Sequence, residues 1–547
     1  MITKKCSSLI NRSRIICFNS SCEYNNSKRL LATQVAQNLN SEQVNVTAKD
    51  ANNNIEWDSA VPYEKIPGPS KLKLLSYFLP GGKFYNKSRH YISRTLRDEY
   101  GEVVKLQGSF KQRDLVFAYN PNHFEKVYRY DGIWPSRTAL ETLVHYRHDL
   151  RPDIFKETGT LLTTNGEQWG KLRSTVNPIM MQPKTVRIYV PRMDTTTTKF
   201  IERIRKIRDP DTLELPNNFE TEINKWALEQ ICLVGLDTEI GLIGNEETDS
   251  DAQKLIDAVN IIFGMVEELE FRPSLWKYYK TPKYKKIMKA YDVLTEISLK
   301  YIDEATERYE LTKKDDKREE NEKSIVERLI KIDKKIAAVV AIEMFFAGVD
   351  TTSTTFTSCL LSLAKNPEKQ EILRQEISKV LPERDTPITE QKLKNLPYLR
   401  AVIKESIRKY PVVHEQSRTT NADFVLGKYQ IPKNIDIVMN NTYYYHDSNH
   451  FSDPDKFIPE RWLRNQDQSN ISVSGCPVTA SKPSNPFVYL PFGFGNRMCV
   501  GKRLVDMELE ILLSRMVRNF NIEYNYDDIA FLNCNSVIID SIAKAIK

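Results

Sequence analysis

The chain of 547 residues has few cysteines, and they fit no framework. The eight, at 6, 17, 22, 232, 359, 476, 499 and 534, form no Cys-x-x-Cys pair. Neither a zinc ribbon nor a disulfide scaffold is indicated, and a reducing compartment is the default. Glycine and proline, at 19 and 26, exclude collagen-like and low-complexity composition. No run approaches the ~18 uninterrupted apolar residues of a membrane-spanning helix. No period of ~20–50 residues repeats, which argues against a solenoid. Neither charge sign dominates: 79 basic and 72 acidic residues leave +7, spread along the chain, with no case for nucleic acid. With 40% hydrophobic and 28% charged residues, wholesale disorder is also excluded.

Acidic residues are missing from the amino terminus, where the first is Glu23. Lys4, Lys5, Arg12, Arg14, Lys28 and Arg29 stand there among frequent serines. On a helical wheel, Ile2, Cys6, Leu9, Ile10, Ile16 and Cys17 share one arc, and the four early basic residues fall outside it. This is the composition of a mitochondrial transit peptide, expected over residues 1–33; the alternative is an unstructured basic tail. The longest apolar run, Ile15–Phe18, is too short for a secretory signal. Residues 34–61 read as a polar linker. One large domain is expected over 62–547, opening on prolines 62, 67 and 69, which hold the chain extended.

That domain reads as mainly α with small β-sheets. Helical spacing appears at 196–207, 220–236, 252–269, 284–310, 335–365, 367–381, 398–409 and 501–518. β-like pieces appear near 102–107, 114–118, 424–431 and 435–439. The charged run Lys313–Lys335 reads as a solvated loop and helix end. Beyond it, Ile336–Val349 is apolar on every side except at Glu343, so the helix belongs inside a large protein. Gly348 and the hydroxyl cluster from Thr351 to Thr355 predict a long central helix with a polar notch, locally opened for a ligand.

The strongest chemical signal is Phe492-Gly493-Phe494-Gly495-Asn496-Arg497-Met498-Cys499-Val500-Gly501. A cysteine here, near Arg497 and ahead of a helix beginning near Val500, has N–H groups and a cation favouring its thiolate. A thiolate is a metal ligand or a nucleophile. A nucleophile wants a histidine base, and the segment contains none. A lone thiolate ligand suits haem iron. The alternative for an isolated glycine-flanked cysteine is a buried structural residue. Trp169 and Arg173, four apart, share a helix face, as do Glu405 and Arg408, three apart.

Phe492-x-x-Gly495-x-Arg497-x-Cys499-x-Gly501 resembles the haem-binding signature of the cytochrome P-450 (haem-thiolate monooxygenase) superfamily. Further resemblances follow in the family's order: Trp169-x-x-x-Arg173, Ala347-Gly348-Val349-Asp350-Thr351-Thr352, Glu405-x-x-Arg408 and Pro459-Glu460-Arg461-Trp462. The likeness covers about residues 62–547. It implies the cytochrome P-450 fold, with haem b (iron protoporphyrin IX) between the long central helix and the Cys499 loop and helix. It implies Cys499 as axial ligand, with Trp169, Arg173, Arg418, Phe492 and Arg497 as haem-binding residues. It implies proton delivery to dioxygen by Asp350 and Thr351. Glu405, Arg408 and Arg461 become a structural network behind the Cys499 loop.

The transit-like terminus, Pro135-x-Arg137, and Arg400 and Lys404 ahead of Glu405 resemble the mitochondrial branch, most of all insect family twelve. That likeness implies an adrenodoxin-like ferredoxin, fed from NADPH by a ferredoxin reductase, docking on Arg400 and Lys404. It also implies peripheral association with the matrix side of the inner membrane. The substrate is expected to be lipophilic, a foreign compound or a steroid-like molecule, in a pocket lined by Phe345, Phe346, Ala347, Val412 and Val413. An ecdysteroid hydroxylase is the endogenous alternative. A haem-thiolate isomerase and a non-catalytic haem protein are weaker ones, because the Asp350-Thr351 pair is intact.

Overall fold

The computed structural model describes residues 56–108, 113–138, 140–243, 250–463 and 485–524. The expected transit segment lies outside the described residues, as does the linker up to residue 55. Two compact units divide at Val61 and Pro62. Of the first, residues 56–61 are described and contain one helical turn.

The second unit is mainly helical. Its longer helices are α1 (Lys71–Phe78), α2 (Arg89–Tyr100), α3 (Pro121–Tyr130), α4 (Gly166–Met180), α5 (Val190–Ile207), α6 (Phe219–Gly235) and α7 (Ser250–Glu270). They continue with α8 (Pro282–Thr312), α9 (Ile325–Ile332), α10 (Lys334–Ala364), α11 (Pro367–Val380), α12 (Pro397–Lys409) and α13 (Lys502–Asn519). Every window of helical spacing in the sequence is a helix here, within two residues at each end except at the start of α5, which begins six residues before the expected 196.

Helix α10 is the axis of the unit. Asp333 caps it by accepting from the Lys335 N–H at 2.8 Å. It is long and apolar enough to cross a membrane, which the search for unbroken apolar runs did not register, but most of it is buried in protein. α6, α8, α9 and α12 pack around it, and Trp226 of α6 meets Phe356 with ring centroids 6.3 Å apart. Its buried hydroxyls bond back one turn, for example Ser353 to the Val349 carbonyl at 2.8 Å and Thr357 to that of Ser353 at 2.8 Å. This supplies partners that the core does not.

The charged run before it is not all loop. Ser324 and Glu327 form a capping box that starts α9, whose Ile325, Val326, Leu329 and Ile330 are buried. The charges gathered on its outer face hid this apolar stripe in the sequence.

The main sheet runs β1 (Val103–Leu106), β2 (Leu115–Ala118), β6 (Asp436–Met439), β3 (Gln416–Thr419) in spatial order, and β4 (Phe424–Leu426) pairs with β5 (Tyr429–Ile431) as a hairpin. β2 and β6 are parallel, with Leu115 opposite Asp436; β3 runs antiparallel to β6, with Arg418 opposite Ile437. This register sets Arg418 at the inner edge of the sheet, where it meets the Cys499 segment.

Candidate active site

A cavity of about 770 Å³ lies between α10 and the Cys499 segment with the start of α13, walled elsewhere by α2, the main sheet and the residues after α7. That volume is within the range of cofactor and small-molecule sites. Cys499 lines it, with Thr351 on the α10 wall.

The Cys499 segment is held by backbone geometry. Gly493 and Gly495 have φ of +76° and +71°, which side chains rarely adopt, and the Cys499 N–H donates to the Phe492 carbonyl at 2.9 Å. Phe492 lines the cavity. The Gly501 and Lys502 N–H groups and Arg173 favour a thiolate, but burial outweighs them and raises the thiol above its ordinary value. α13 begins at Lys502, two residues further from Cys499 than the expected start near Val500.

Four arginines, Arg137, Arg173, Arg418 and Arg497, converge on the same wall. Arg497 donates to the carbonyls of Pro135 (2.9 Å), Leu161 (3.1 Å) and Thr164 (2.8 Å) and to Asn165 Oδ1 (2.7 Å). Arg173 reaches the Met498 carbonyl at 2.7 Å, while its Nε is buried without a partner. Arg418 pairs with Asp131 at 2.5 Å. Burial, then the neighbouring arginines, push Arg497 down to about 8, and burial with Arg418 pushes Arg137 down to about 10. A guanidinium does not surrender its proton in a protein, so these shifts register a demand for negative charge. Trp169 is off the cavity wall, but its ring lies 3.8 Å from the Arg497 guanidinium, and its buried indole N–H has no partner.

On α10, Asp350 and Thr351 behave differently from each other. Thr351 Oγ1 donates to the Ala347 carbonyl at 2.7 Å, which leaves its lone pairs to accept another hydrogen bond. Asp350 is pushed up to about 6 by burial, and no ion pair to it is found among the described residues. The helix is not opened at Gly348. It runs continuously, and a Cβ at Gly348 would lie 2.7 Å from Ile231 Cδ1, so the glycine serves close packing of α6. Phe346, Ala347, Val412 and Val413 line the cavity as expected; Phe345 does not, being turned toward Tyr301 with centroids 6.4 Å apart. Glu508 of α13, pushed up to about 7 by burial, lines it beside Thr352.

Glu405, Arg408 and Arg461 form one buried network. Glu405 accepts from Arg408 Nε (3.0 Å) and Nη2 (2.8 Å), Arg461 Nε (3.2 Å), Trp462 Nε1 (2.9 Å) and the Ile458 N–H (3.0 Å). Burial alone would raise this carboxyl; the bonds and charges of Arg408, with Arg461, bring it below its ordinary value. On the other side of α12, Lys404 is exposed. Arg400 departs from the expected two-charge docking face: it is paired with Glu510 at 2.9 Å and tied to the Leu393 and Lys394 carbonyls.

Two site residues were not assigned from sequence. Arg137 was noted only for its resemblance, without a role in the cavity. Glu343 was read as an interruption of an apolar run. It accepts from Arg147 Nη1 (2.7 Å) and from the N–H groups of Leu161 (2.9 Å) and Leu162 (3.1 Å), fixing the loop whose carbonyls hold Arg497. A lone acid in an apolar helix was the available signal, since a buried charge demands partners.

The cytochrome P450 family profile matches residues 66–541. Cytochrome P450 CYP12A2 of Musca domestica is 47% identical over 473 residues, covering 86% of this chain and 88% of that one. Probable cytochrome P450 12a5, mitochondrial, of Drosophila melanogaster is 45% identical over 489 residues, 88% and 90% of the two chains. Cytochrome P450 12b1, mitochondrial, of Drosophila acanthoptera is 37% identical over 515 residues, 94% of each. A cavity with one cysteine and a surplus of arginines, framed by this fold and these matches, has one reading: the chain belongs to the cytochrome P450 family of monooxygenases, alongside the insect mitochondrial members of family twelve.

Proposed function

We propose that this chain is a haem b monooxygenase that inserts one atom of dioxygen into a lipophilic substrate in the mitochondrial matrix, peripherally on the inner membrane. The supporting observation is the cation surplus: four arginines and an unpartnered indole N–H beside a single cavity-facing cysteine. This donor set fits a haem, with two carboxylates to neutralise and one axial position for sulfur. Bound haem supplies dioxygen activation, with the second oxygen atom leaving as water.

The chain's own residues do the rest. Cys499 Sγ would ligate the haem iron. Arg137, Arg173, Arg418 and Arg497 take the carboxylates, and Trp169 donates its N–H. Thr351 accepts and passes on a proton at its Oγ1, which Asp350, poised at about 6, relays from solvent. Apolar walls such as Leu140, Phe346 and Val412 exclude water and bind the substrate. Electrons come from NADPH through a ferredoxin reductase and an adrenodoxin-like ferredoxin, with Lys404 and Arg400 on the docking face.

The test is turnover reconstituted with ferredoxin and reductase on a panel of lipophilic compounds that includes ecdysteroid precursors. Oxygenated product requiring all components is expected. Thr351→Ala is expected to consume electrons but release most as hydrogen peroxide. Unchanged product per electron in that variant contradicts the proton-delivery role, and no product from any compound contradicts the monooxygenase reading of this site.

A further inference from the structure

The cavity carries a charged pair outside the arginine cluster. Arg89 at the start of α2 and Glu415 just before β3 both line it and form an ion pair. The Arg89 guanidinium also lies 3.5 Å over the ring of Phe271, which follows α7 and lines the same wall. Arg89 is therefore held from two sides.

Glu415 is less well served. Its side chain is 4% exposed. Oε1 has the Asn440 amide at 3.4 Å, and Oε2 is the oxygen that pairs with Arg89. The neighbouring histidines bring no charge, since burial pushes His414 down to about 4 and lowers His90 as well. Around it the wall is apolar: Ile92, Leu96, Val412 and Val413. A carboxylate has about four acceptor sites, so beyond one guanidinium and one long amide contact this one, set in an apolar wall, has sites left for an incoming O–H.

We propose that Glu415 is a specificity residue, accepting a hydrogen bond from a hydroxyl group on the lipophilic substrate. This rests on the monooxygenase reading and narrows its substrate class to apolar molecules bearing a hydroxyl donor. A pure hydrocarbon leaves those sites bare. An ether brings only an acceptor. A carboxylate meets the like charge of Glu415.

The test is equilibrium dialysis of the full-length haem-loaded enzyme against a matched set: octylbenzene, 8-phenyloctan-1-ol, its methyl ether and 8-phenyloctanoate. The alcohol is expected to bind about tenfold more tightly than the hydrocarbon and the ether, because hydrogen bonds to a charged acceptor are strong. In Glu415→Gln that preference is expected to shrink below about threefold. Equal binding of alcohol and ether overturns the proposal without any variant having to fold. A preference for the carboxylate overturns it too, as does an alcohol preference that survives in Glu415→Gln. Turnover of the same compounds reports separately on the monooxygenase reading, since oxidation of all four with equal affinities would sink only the role of Glu415.

Discussion

Two groups of arginines, one around Glu405 and one around the cavity, differ in how their charge is answered. Around Glu405 the protein supplies the acid itself: one carboxylate receives Arg408, Arg461, Trp462 and a backbone N–H, and the two arginines donate onward to the Tyr445 and Ser452 carbonyls, with Arg461 Nη1 left over. Around the cavity, Arg137, Arg173, Arg418 and Arg497 have Asp131 as their one paired acid among the described residues, and Arg137 and Arg497 are pushed down by burial and by neighbouring arginines. A network gathered on a carboxylate is assembled on folding. A cluster of guanidiniums short of acids is open to an anionic ligand. Similar residues in the same unit are thereby sorted into scaffold and cradle by their partners alone.

The comparison breaks first at its scaffold side. Glu405→Ala strands two buried guanidinium groups and is expected to cost about 3–5 kcal/mol of unfolding free energy, read by urea denaturation. A loss under about 1 kcal/mol would mean the network is not gathered on Glu405 as described. On the cradle side the sign differs. Arg137→Gln removes a charge with no directed side-chain partner among the described residues. The haem-free protein should keep its thermal midpoint or gain slightly, while haem passes to a competing apoprotein about tenfold faster. A lowered haem-free midpoint with unchanged haem transfer would reverse the assignment.

A smaller effect separates two carboxylates on or against α12. Glu376 accepts the Tyr398 and Leu399 N–H groups but meets no guanidinium at close range, and burial pushes it up to about 7. A group raised in the folded state stabilises below its unfolded value and loses that contribution as pH rises through the folded one. Stability should therefore fall by about 1–2 kcal/mol between pH ~4.5 and ~7, and Glu376→Gln should flatten the slope. Glu405, brought below its ordinary value, gives no loss in that window. The smallest effect belongs to the docking face. With Arg400 already paired to Glu510, Arg400→Gln with Lys404→Gln should slow ferredoxin-supported turnover by about fivefold or less, more at low salt, and leave peroxide-supported turnover alone. Equal losses in both assays would make the pair structural.

Much of this could be read from the chain because the reading needed only local periodicity. The helices α6 to α8 and α10 to α13 show it, and so do the spacings that put Glu405 with Arg408 and Trp169 with Arg173. What escaped depended on distant partners. β3, Gln416–Thr419, is polar and is a strand only because β6 lies beside it. Gly348 signalled an opening, but its neighbour Ile231 comes from another helix and shows it to be a packing contact. Phe345 and Phe346 are adjacent and look alike, and the turn of the helix sends one to the core and the other to the cavity. Arg400 looked free until Glu510, over a hundred residues away, was seen beside it.

The central claim is that Cys499, backed by the arginine cradle, is the axial ligand of a haem. It is tested most directly by the absorption of the reduced carbon monoxide complex in the wild type and in Cys499→His. The account predicts the long-wavelength band of thiolate ligation in the wild type and its complete loss in the variant, with haem still bound through the cradle. The same band in Cys499→His, or its absence from the haem-loaded wild type, would contradict it.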